Sequence, residues 1–198
     1  MIFFTIPGRI DVVLNELLMY GMINIAIQDL IVRDYGSPTW NAVKAKASLE
    51  TDGFVSMHTY PDALTYGLVS IACEITGVTA DKMLENIGEY WITHTAKQGY
   101  GPVLDMAGTN LVEFLKNLNT MHRGVVKTMP EMVIPIFEVR EEQPGSVVLE
   151  YHSKRKGLEP MVLGLIKGLG KRCGFDCKVE MIETDKTEHT FQKYKVTW

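Results

Sequence analysis

The chain has 198 residues, of which 46% are hydrophobic, and 20 basic against 24 acidic side chains give a formal net charge of −4. This composition excludes a disordered chain, and the length predicts one domain or one domain of two lobes. There is no basic stripe for nucleic acid, no apolar run of the roughly 18 residues that cross a bilayer, and an odd count of three cysteines, which indicates a reducing compartment. We therefore expect a cytoplasmic protein without nucleic-acid or membrane partners.

The first two thirds of the chain have the three- and four-residue apolar spacing of helices. The Gly-Tyr-Gly-Pro run at 99–102 predicts a break before the last of them. That last helix has Asn110 as its cap and Glu113 three residues later, the spacing of a capping box. The predicted helices cover residues 19–33, 37–43, 63–75, 80–91 and 110–127.

Beyond Pro130 the pattern changes to two-residue alternation, which is typical of strands. The predicted elements are strands 133–140 and 146–155 around a Pro-Gly turn, a helix over 160–173, and strands 178–183 and 190–196. Segregated helices and antiparallel strands predict an α+β fold. It has a helical N-terminal lobe and a mixed lobe with an antiparallel four-stranded sheet and one helix, in the order β-β-α-β-β.

One histidine lies where leucine is expected. In the helix 110–127, His122 shares the apolar face of Leu111, Leu115, Leu118 and Val125. It is either a buried neutral imidazole bonded to the backbone or an axial ligand of haem, which needs a single protein ligand. Zinc needs three or four, and no Cys or His recurs nearby at zinc spacing.

The strand at 147–155 places Tyr151, Ser153 and Arg155 on one face. A phenol, a hydroxyl and a guanidinium in a row form an anion site for carboxylate or phosphate, or else they mark a strand end that emerges into solvent. With His122, this face suggests haem: an apolar slot for the ring, an imidazole for the iron and donors for the propionates.

Several short motifs lead to a family resemblance. They are M-Y-G at 19–21, G-E-Y-W at 88–91, G-Y-G at 99–101, residues 117–122, Y-H-S-K-R at 151–155, and residues 161–172. On these the chain resembles the H-NOX family of haem-nitric oxide/oxygen-binding domains, related to the haem domain of soluble guanylate cyclase. The resemblance covers nearly all of residues 19 to about 196.

The resemblance implies a haem b held between the two lobes. It places His122 as the proximal iron ligand and Pro135 as the residue that presses on the porphyrin and distorts it. It assigns the propionates to Tyr151, Ser153 and Arg155. It assigns the distal pocket to Ile23, Trp91, Met161 and Leu165.

The resemblance also implies a ligand preference. Members that bind oxygen stably are thought to use a distal tyrosine near Met161, and a thioether cannot donate a hydrogen bond. We therefore expect a ferrous haem that binds NO and CO and not O2, although the indole N–H of Trp91 is a possible donor. NO is expected to weaken the iron–histidine bond and so to shift the lobes.

Residues 1–18 precede the position at which family members usually begin. We expect them to be an N-terminal extension, either an amphipathic lead-in or an unused start, and expect 19–198 to be the domain, mainly helical to about 130. Without an output domain, the protein is expected to be a sensor rather than an enzyme. It would signal in trans by conformational change to a histidine kinase or a cyclic-di-GMP enzyme, with a cyclase or a chemotaxis receptor as further options.

Two other functions stay open at this point. One is a haem enzyme, which would need a distal acid–base residue. The other is a module without haem that binds an apolar carboxylate through the Tyr151, Ser153 and Arg155 face.

Overall fold

The computed structural model describes residues 3–4, 12–13, 17–51, 53–185 and 190–198. The helices are α1 (Gly21–Tyr35), α2 (Ser37–Lys46), α3 (Asp62–Thr76), α4 (Ala80–Tyr90), a π-helical turn (Trp91–Thr95), α5 (Ala96–Ala107), α6 (Leu111–Val126) and α7 (Glu159–Arg172). The strands are β1 (Phe3–Phe4), β2 (Val12–Val13), β3 (Leu18–Tyr20), β4 (Thr59–Pro61), β5 (Ile136–Gln143), β6 (Ser146–Ser153), β7 (Lys178–Asp185) and β8 (Thr190–Thr197).

The α+β fold predicted from the sequence is confirmed. Strands β5 to β8 form one antiparallel sheet in the order β5-β6-β8-β7, and α7 connects its two halves. Strand pairs β1-β2 and β3-β4 form two further small sheets. One apolar core lies between α6, α7 and the inner face of the large sheet, and a second lies among α1 to α4.

Helix ends follow the local chemistry of the sequence. The Thr79 hydroxyl accepts the Lys82 N–H at the start of α4, and Asn110 Oδ1 accepts the Glu113 N–H at 2.9 Å at the start of α6. Gly77 ends α3 in the left-handed conformation, with φ +73°. These caps explain why the predicted bounds of these three helices hold to within one or two residues.

The prediction was wrong at four places in the chain. The strand predicted over 146–155 ends at Ser153, so Arg155 follows β6 instead of belonging to it. The first helix begins at Gly21, because Met19 and Tyr20 are extended and pair with β4. The run at 99–102 does not break the chain: α5 continues through it with Pro102 inside, and packing of the buried Leu104 and Ala107 offsets the proline. Strand β5 begins after Pro135 instead of at residue 133.

The predicted extension 1–18 lies mostly outside the described residues. Its last two residues belong to the fold, because the Leu17 carbonyl accepts the Asp62 N–H at 3.1 Å and Leu18 opens β3. In the described chain, no single helix is long and apolar enough to cross a membrane. One strongly bent pair, Asp62–Thr76 with Ala80–Ala107, meets that test jointly by length and composition only.

Helices α4 and α7 cross with their backbones in contact, and this crossing joins the two lobes. Three glycines make it possible, because a Cβ on Gly88 would lie 2.1 Å from the Met161 carbonyl oxygen and one on Gly164 would lie 1.9 Å from that of Glu85. The third glycine, Gly168, faces Ile92. Any side chain at these positions must push the helices apart.

Replacing Gly164 by Ala should lower the free energy of unfolding by about 1–3 kcal/mol, the usual cost of overpacking a tight contact. Urea denaturation measures this change in the free energy of unfolding. Gly99→Ala is the matched control, because Gly99 lies in α5 with open space around it, and the same substitution there should stabilise by about 0.4–1 kcal/mol. Equal effects of the two substitutions would mean that the α4–α7 crossing can open at little cost.

Candidate functional site

A large cavity lies between the helical lobe and the mixed lobe. Its empty volume is about 1240 Å³, counting the open space at its mouth. Its walls come from α1, the π-helical turn, α6, β5, β6 and α7, and they are almost entirely apolar. All nine residues that the sequence predicted for the site line this cavity: Ile23, Trp91, His122, Pro135, Tyr151, Ser153, Arg155, Met161 and Leu165.

His122 reaches the cavity from α6, whose buried face carries Leu111, Leu115 and Leu118 one to three turns earlier. Its Nδ1 atom is buried and has no hydrogen-bond partner. Burial lowers the pKa of His122 to about 4, so the imidazole is neutral at pH 7. A neutral ring keeps a lone pair for a metal, and the backbone bond of the alternative interpretation is not present at Nδ1.

His122 would be a lone protein ligand for a metal. Within the described parts of the chain, no three His, Cys, Asp or Glu side chains lie close enough together to hold an ion. Haem suits such a site, because its porphyrin supplies four nitrogens and the protein adds one.

The Tyr151 and Ser153 side chains of β6 line the cavity, on one face of the strand as the two-residue alternation predicts. Tyr151 is buried, and burial raises the pKa of its phenol. The Ser153 hydroxyl accepts the Arg155 backbone N–H at 3.0 Å, which leaves its own hydrogen able to donate. The Tyr151 and Ser153 side chains also hydrogen-bond to each other, so these two hydroxyls form a polar pair at this end of the cavity that can bind an anion.

The Arg155 guanidinium is held by protein acceptors. Its Nε and Nη2 atoms donate to the Asp62 carboxylate at 2.8 and 3.4 Å. Nη2 also donates to the Leu18 carbonyl at 2.8 Å, and Nη1 donates to the Val133 carbonyl at 3.0 Å. Arg155 thus ties β3, α3, the segment before β5 and the end of β6 together, and four of the five N–H bonds that a guanidinium offers are engaged.

Trp91 is the member of the predicted distal set that carries a polar group. It opens the π-helical turn, and its Nε1 atom is buried without a hydrogen-bond partner. Insertions of this kind in α-helices are frequent at functional sites. Met161, Leu165 and Ile23 offer the cavity only apolar atoms, so the indole N–H is the donor among the four.

Three contributors were missed in the sequence. Asp62 forms an ion pair with Arg155, which is 93 residues later in the chain. No local sequence pattern predicts such a distant partner. Asn119 and Phe137 join α6 to β5 beside His122. Asn119 lies in the stretch 117–122 that contributed to the family resemblance, but its position in the helical pattern did not predict a contact with β5.

The residues present fit a haem. An apolar slot suits a flat ring, the neutral imidazole with an unpartnered nitrogen suits an iron, and the Tyr151 and Ser153 hydroxyls suit carboxylates. Burying a polar nitrogen without a partner costs free energy unless a ligand satisfies it.

Comparisons with known proteins agree with this chemistry. A family model described as haem-NO-binding matches residues 20–183. Soluble guanylate cyclase gcy-37 of Caenorhabditis elegans is 32% identical over 172 residues, which are 85% of this chain and 24% of the relative. For gcy-32 of the same organism the identity is 30% over 175 residues, 87% of this chain and 25% of the relative. The chain therefore spans about a quarter of the length of these curated relatives.

Solved structures share the fold. An Fe(II) unliganded H-NOX protein from K. algicida superposes with a TM-score of 0.77 at 23% identity, over 90% of this chain and 96% of that one. An oxygen-binding H-NOX domain related to soluble guanylate cyclases gives a TM-score of 0.76 at 22% identity, over 90% and 94%. At this level of identity the likeness concerns the fold alone.

Proposed function

This chain belongs to the haem-NO-binding (H-NOX) family of haem-based gas sensors, and on that premise we propose that it binds haem b through His122 and senses nitric oxide. The observation that carries the proposal is the apolar cavity with a neutral imidazole at its wall, whose Nδ1 atom has no partner, and two hydroxyls at its end. We propose 19–198 as the domain and residues 1–18 as an extension whose last two residues, Leu17 and Leu18, are bonded to it.

When bound, haem supplies an iron that coordinates a diatomic gas. The protein's role is to hold the haem and to shield it from water. His122 would offer a neutral nitrogen, Tyr151 and Ser153 would hold the carboxylates, and Arg155 braces that end of the cavity through its bonds to Asp62. Pro135 and Ile23 line the cavity and would pack on the ring, and the apolar walls would limit the access of water, which affects the redox potential.

Met161 supports selection against O2, because a thioether gives no hydrogen bond to a polar ligand. The buried Nε1–H of Trp91 works in the opposite direction, because an unpartnered donor gains free energy from any acceptor that reaches it. We propose that the protein binds NO and CO and that Trp91 is the residue to vary if O2 also binds.

Absorption spectra of the purified, haem-supplemented ferrous protein test this proposal. We expect a Soret band that shifts with NO and with CO, and no stable oxygenated spectrum in air. A stable oxygenated spectrum would contradict the selectivity, and its loss in Trp91→Phe would identify the indole as the donor. Absence of a Soret band after supplementation would instead favour the apolar-carboxylate module.

A haem enzyme has less support. Among the described residues that line the cavity, the titratable side chains are Tyr20, His122, Tyr151 and Arg155. No carboxylate or lysine reaches it there as an acid–base group. We therefore propose a sensor without catalytic activity, acting in trans on a histidine kinase or a cyclic-di-GMP enzyme, with a cyclase or a chemotaxis receptor as further options. The cytoplasmic location stays a prediction.

A further inference from the structure

The N-terminal extension reaches the cavity through its last residue. Leu18 is half-buried and lines the cavity together with Ser153 and Arg155, whereas the neighbouring Leu17 does not line it. Successive residues of an extended chain point to opposite sides, which explains the difference between these two leucines. Leu18 lies outside the residues 20–183 that the family model matches, so the family gives it no role.

The pairing of β3 with β4 turns the Leu18 backbone away from β4. The Leu17 carbonyl accepts the Asp62 N–H at 3.1 Å, which makes these two residues a hydrogen-bonded pair. Hydrogen-bonded and non-hydrogen-bonded pairs alternate along an antiparallel ladder, so Leu18 and its partner Pro61 form a non-hydrogen-bonded pair. The Leu18 carbonyl can therefore accept a donor from the side opposite β4.

Arg155 is the donor that uses this carbonyl. Its Nη2 atom donates to the Leu18 carbonyl at 2.8 Å, and its Nη1 atom donates to the Val133 carbonyl at 3.0 Å. Leu18 and Val133 both line the cavity, so the guanidinium joins two segments of the cavity wall. The Asp62 carboxylate accepts two further N–H bonds.

These bonds limit what Arg155 can offer a ligand. Counting the acceptors that the described residues supply, four of the five N–H groups of the guanidinium are engaged, and the fifth lies on Nη1. A carboxylate in the cavity can therefore receive a single hydrogen bond from Arg155, and not the bidentate pair that a free guanidinium offers. The packing of the wall around that carboxylate then has more weight in binding.

We propose that Leu18 is a wall residue of the binding site at its carboxylate end, where its side chain packs against the bound ligand and its carbonyl holds Arg155 in place. The last residue of the extension then belongs to the same site as the Tyr151 and Ser153 hydroxyls. The proposal rests on the proposed function in one respect, that a porphyrin with two carboxylates occupies the cavity. The bond between Leu18 and Arg155 belongs to the protein alone and can be measured without a ligand.

A charge at position 18 should change the affinity for such a porphyrin according to the sign of the charge. Leu18→Lys and Leu18→Glu are the charged variants, and Leu18→Gln is the uncharged variant of similar length. Iron-free protoporphyrin IX is the probe, because its fluorescence reports binding that does not depend on a bond between His122 and iron. We expect the dissociation constant of Leu18→Glu to exceed that of Leu18→Lys by roughly tenfold at low salt, with Leu18→Gln between them.

Two controls distinguish contact with the carboxylates from damage to the wall. Leu17→Lys and Leu17→Glu make the same changes one residue earlier, where the side chain does not line the cavity, and their dissociation constants should differ by less than about twofold. Protoporphyrin IX dimethyl ester has the same ring without the two charges, so Leu18→Lys and Leu18→Glu should bind it equally. Far-UV circular dichroism verifies folding, and if Leu18→Glu does not fold, Leu18→Gln and Leu18→Lys carry the test.

The carbonyl of Leu18 is tested in the ligand-free protein. The double variant Asp62→Leu/Arg155→Met removes both members of the buried ion pair, and in it the NMR resonance of the Leu18 carbonyl carbon should move to lower frequency because the carbonyl loses its donor. The Leu17 carbonyl accepts a backbone N–H that the double variant keeps, so its resonance should change much less.

Equal dissociation constants of Leu18→Lys and Leu18→Glu for protoporphyrin IX, or an equally large charge effect at Leu17, would overturn the contact between Leu18 and the ligand. An unchanged Leu18 carbonyl resonance would overturn its bond to Arg155. A wild type that binds protoporphyrin IX but forms no iron–histidine bond with haem would refute the proposed function alone. A wild type that binds neither would refute the ligand contact as well, and the carbonyl resonance would still decide the bond to Arg155.

Discussion

Replacing His122 by Gly is expected to lower haem affinity by at least about 100-fold, because even residues that merely orient a metal ligand are worth 10–100-fold. Among the described residues that line the cavity, the one histidine is His122. The described chain also has no cluster of three His, Cys, Asp or Glu side chains that could hold the iron instead. Haem titration of the purified apoprotein followed at the Soret band measures the change. His94→Gly is the control, since His94 stacks on Tyr90 at 4.4 Å and does not line the cavity.

Free imidazole sharpens the same experiment. The glycine leaves a space at the cavity wall in which imidazole can bind, so millimolar imidazole should restore a spectrum with a nitrogen ligand in His122→Gly. The restored ligand is no longer bonded to α6, so gas binding should persist while no displacement of the ligand is passed to the helix. A His122→Gly protein that keeps the wild-type affinity and spectrum would show that another residue binds the iron.

The features of this site that the sequence predicted are those that depend on residues close together in the chain. The capping box at Asn110, the leucine spacing before His122 and the alternation through Tyr151 and Ser153 each follow from helical or strand geometry over a few residues. The structure places His122, Tyr151 and Ser153 at one cavity. The haem roles of Pro135 and Met161 came only from the family resemblance, and the structure adds that both line the cavity.

What the sequence could not predict depends on distant contacts. Met19 and Tyr20 read as helix but form a strand, because their partners are some 40 residues away in β4. Pro102 reads as a helix breaker, but the buried face of α5 outweighs its local cost. The sequence pattern predicted that the Arg155 guanidinium binds an anion. Only the fold shows that the Asp62 carboxylate forms an ion pair with it.

Removing that carboxylate should have the largest effect on stability. The Asp62 side chain is 1% exposed and that of Arg155 is 10% exposed, so Asp62→Ala leaves a buried guanidinium without its counter-charge. Such a loss costs about 3–5 kcal/mol, which for a chain of this length lowers the Tm by roughly 6–20 °C. Denaturation of the haem-free protein by urea and by heat measures both quantities. A cost under about 1 kcal/mol would mean that water reaches the pair and that its burial has little energetic weight.

The double variant Asp62→Leu/Arg155→Met distinguishes the effect of the unpaired charge on stability from the effect of the hydrogen bonds that Arg155 donates to other segments. Apolar replacement of a whole buried pair is often neutral or stabilising, so much of the stability lost in Asp62→Ala should return. Recovery should stay incomplete, because the Leu18 and Val133 carbonyls also lose their donor. Haem affinity should not recover with stability if Arg155 also stabilises the propionates by its charge. If it does recover, the role of Arg155 is to join four segments of the fold, and Tyr151 and Ser153 bind the carboxylates without it.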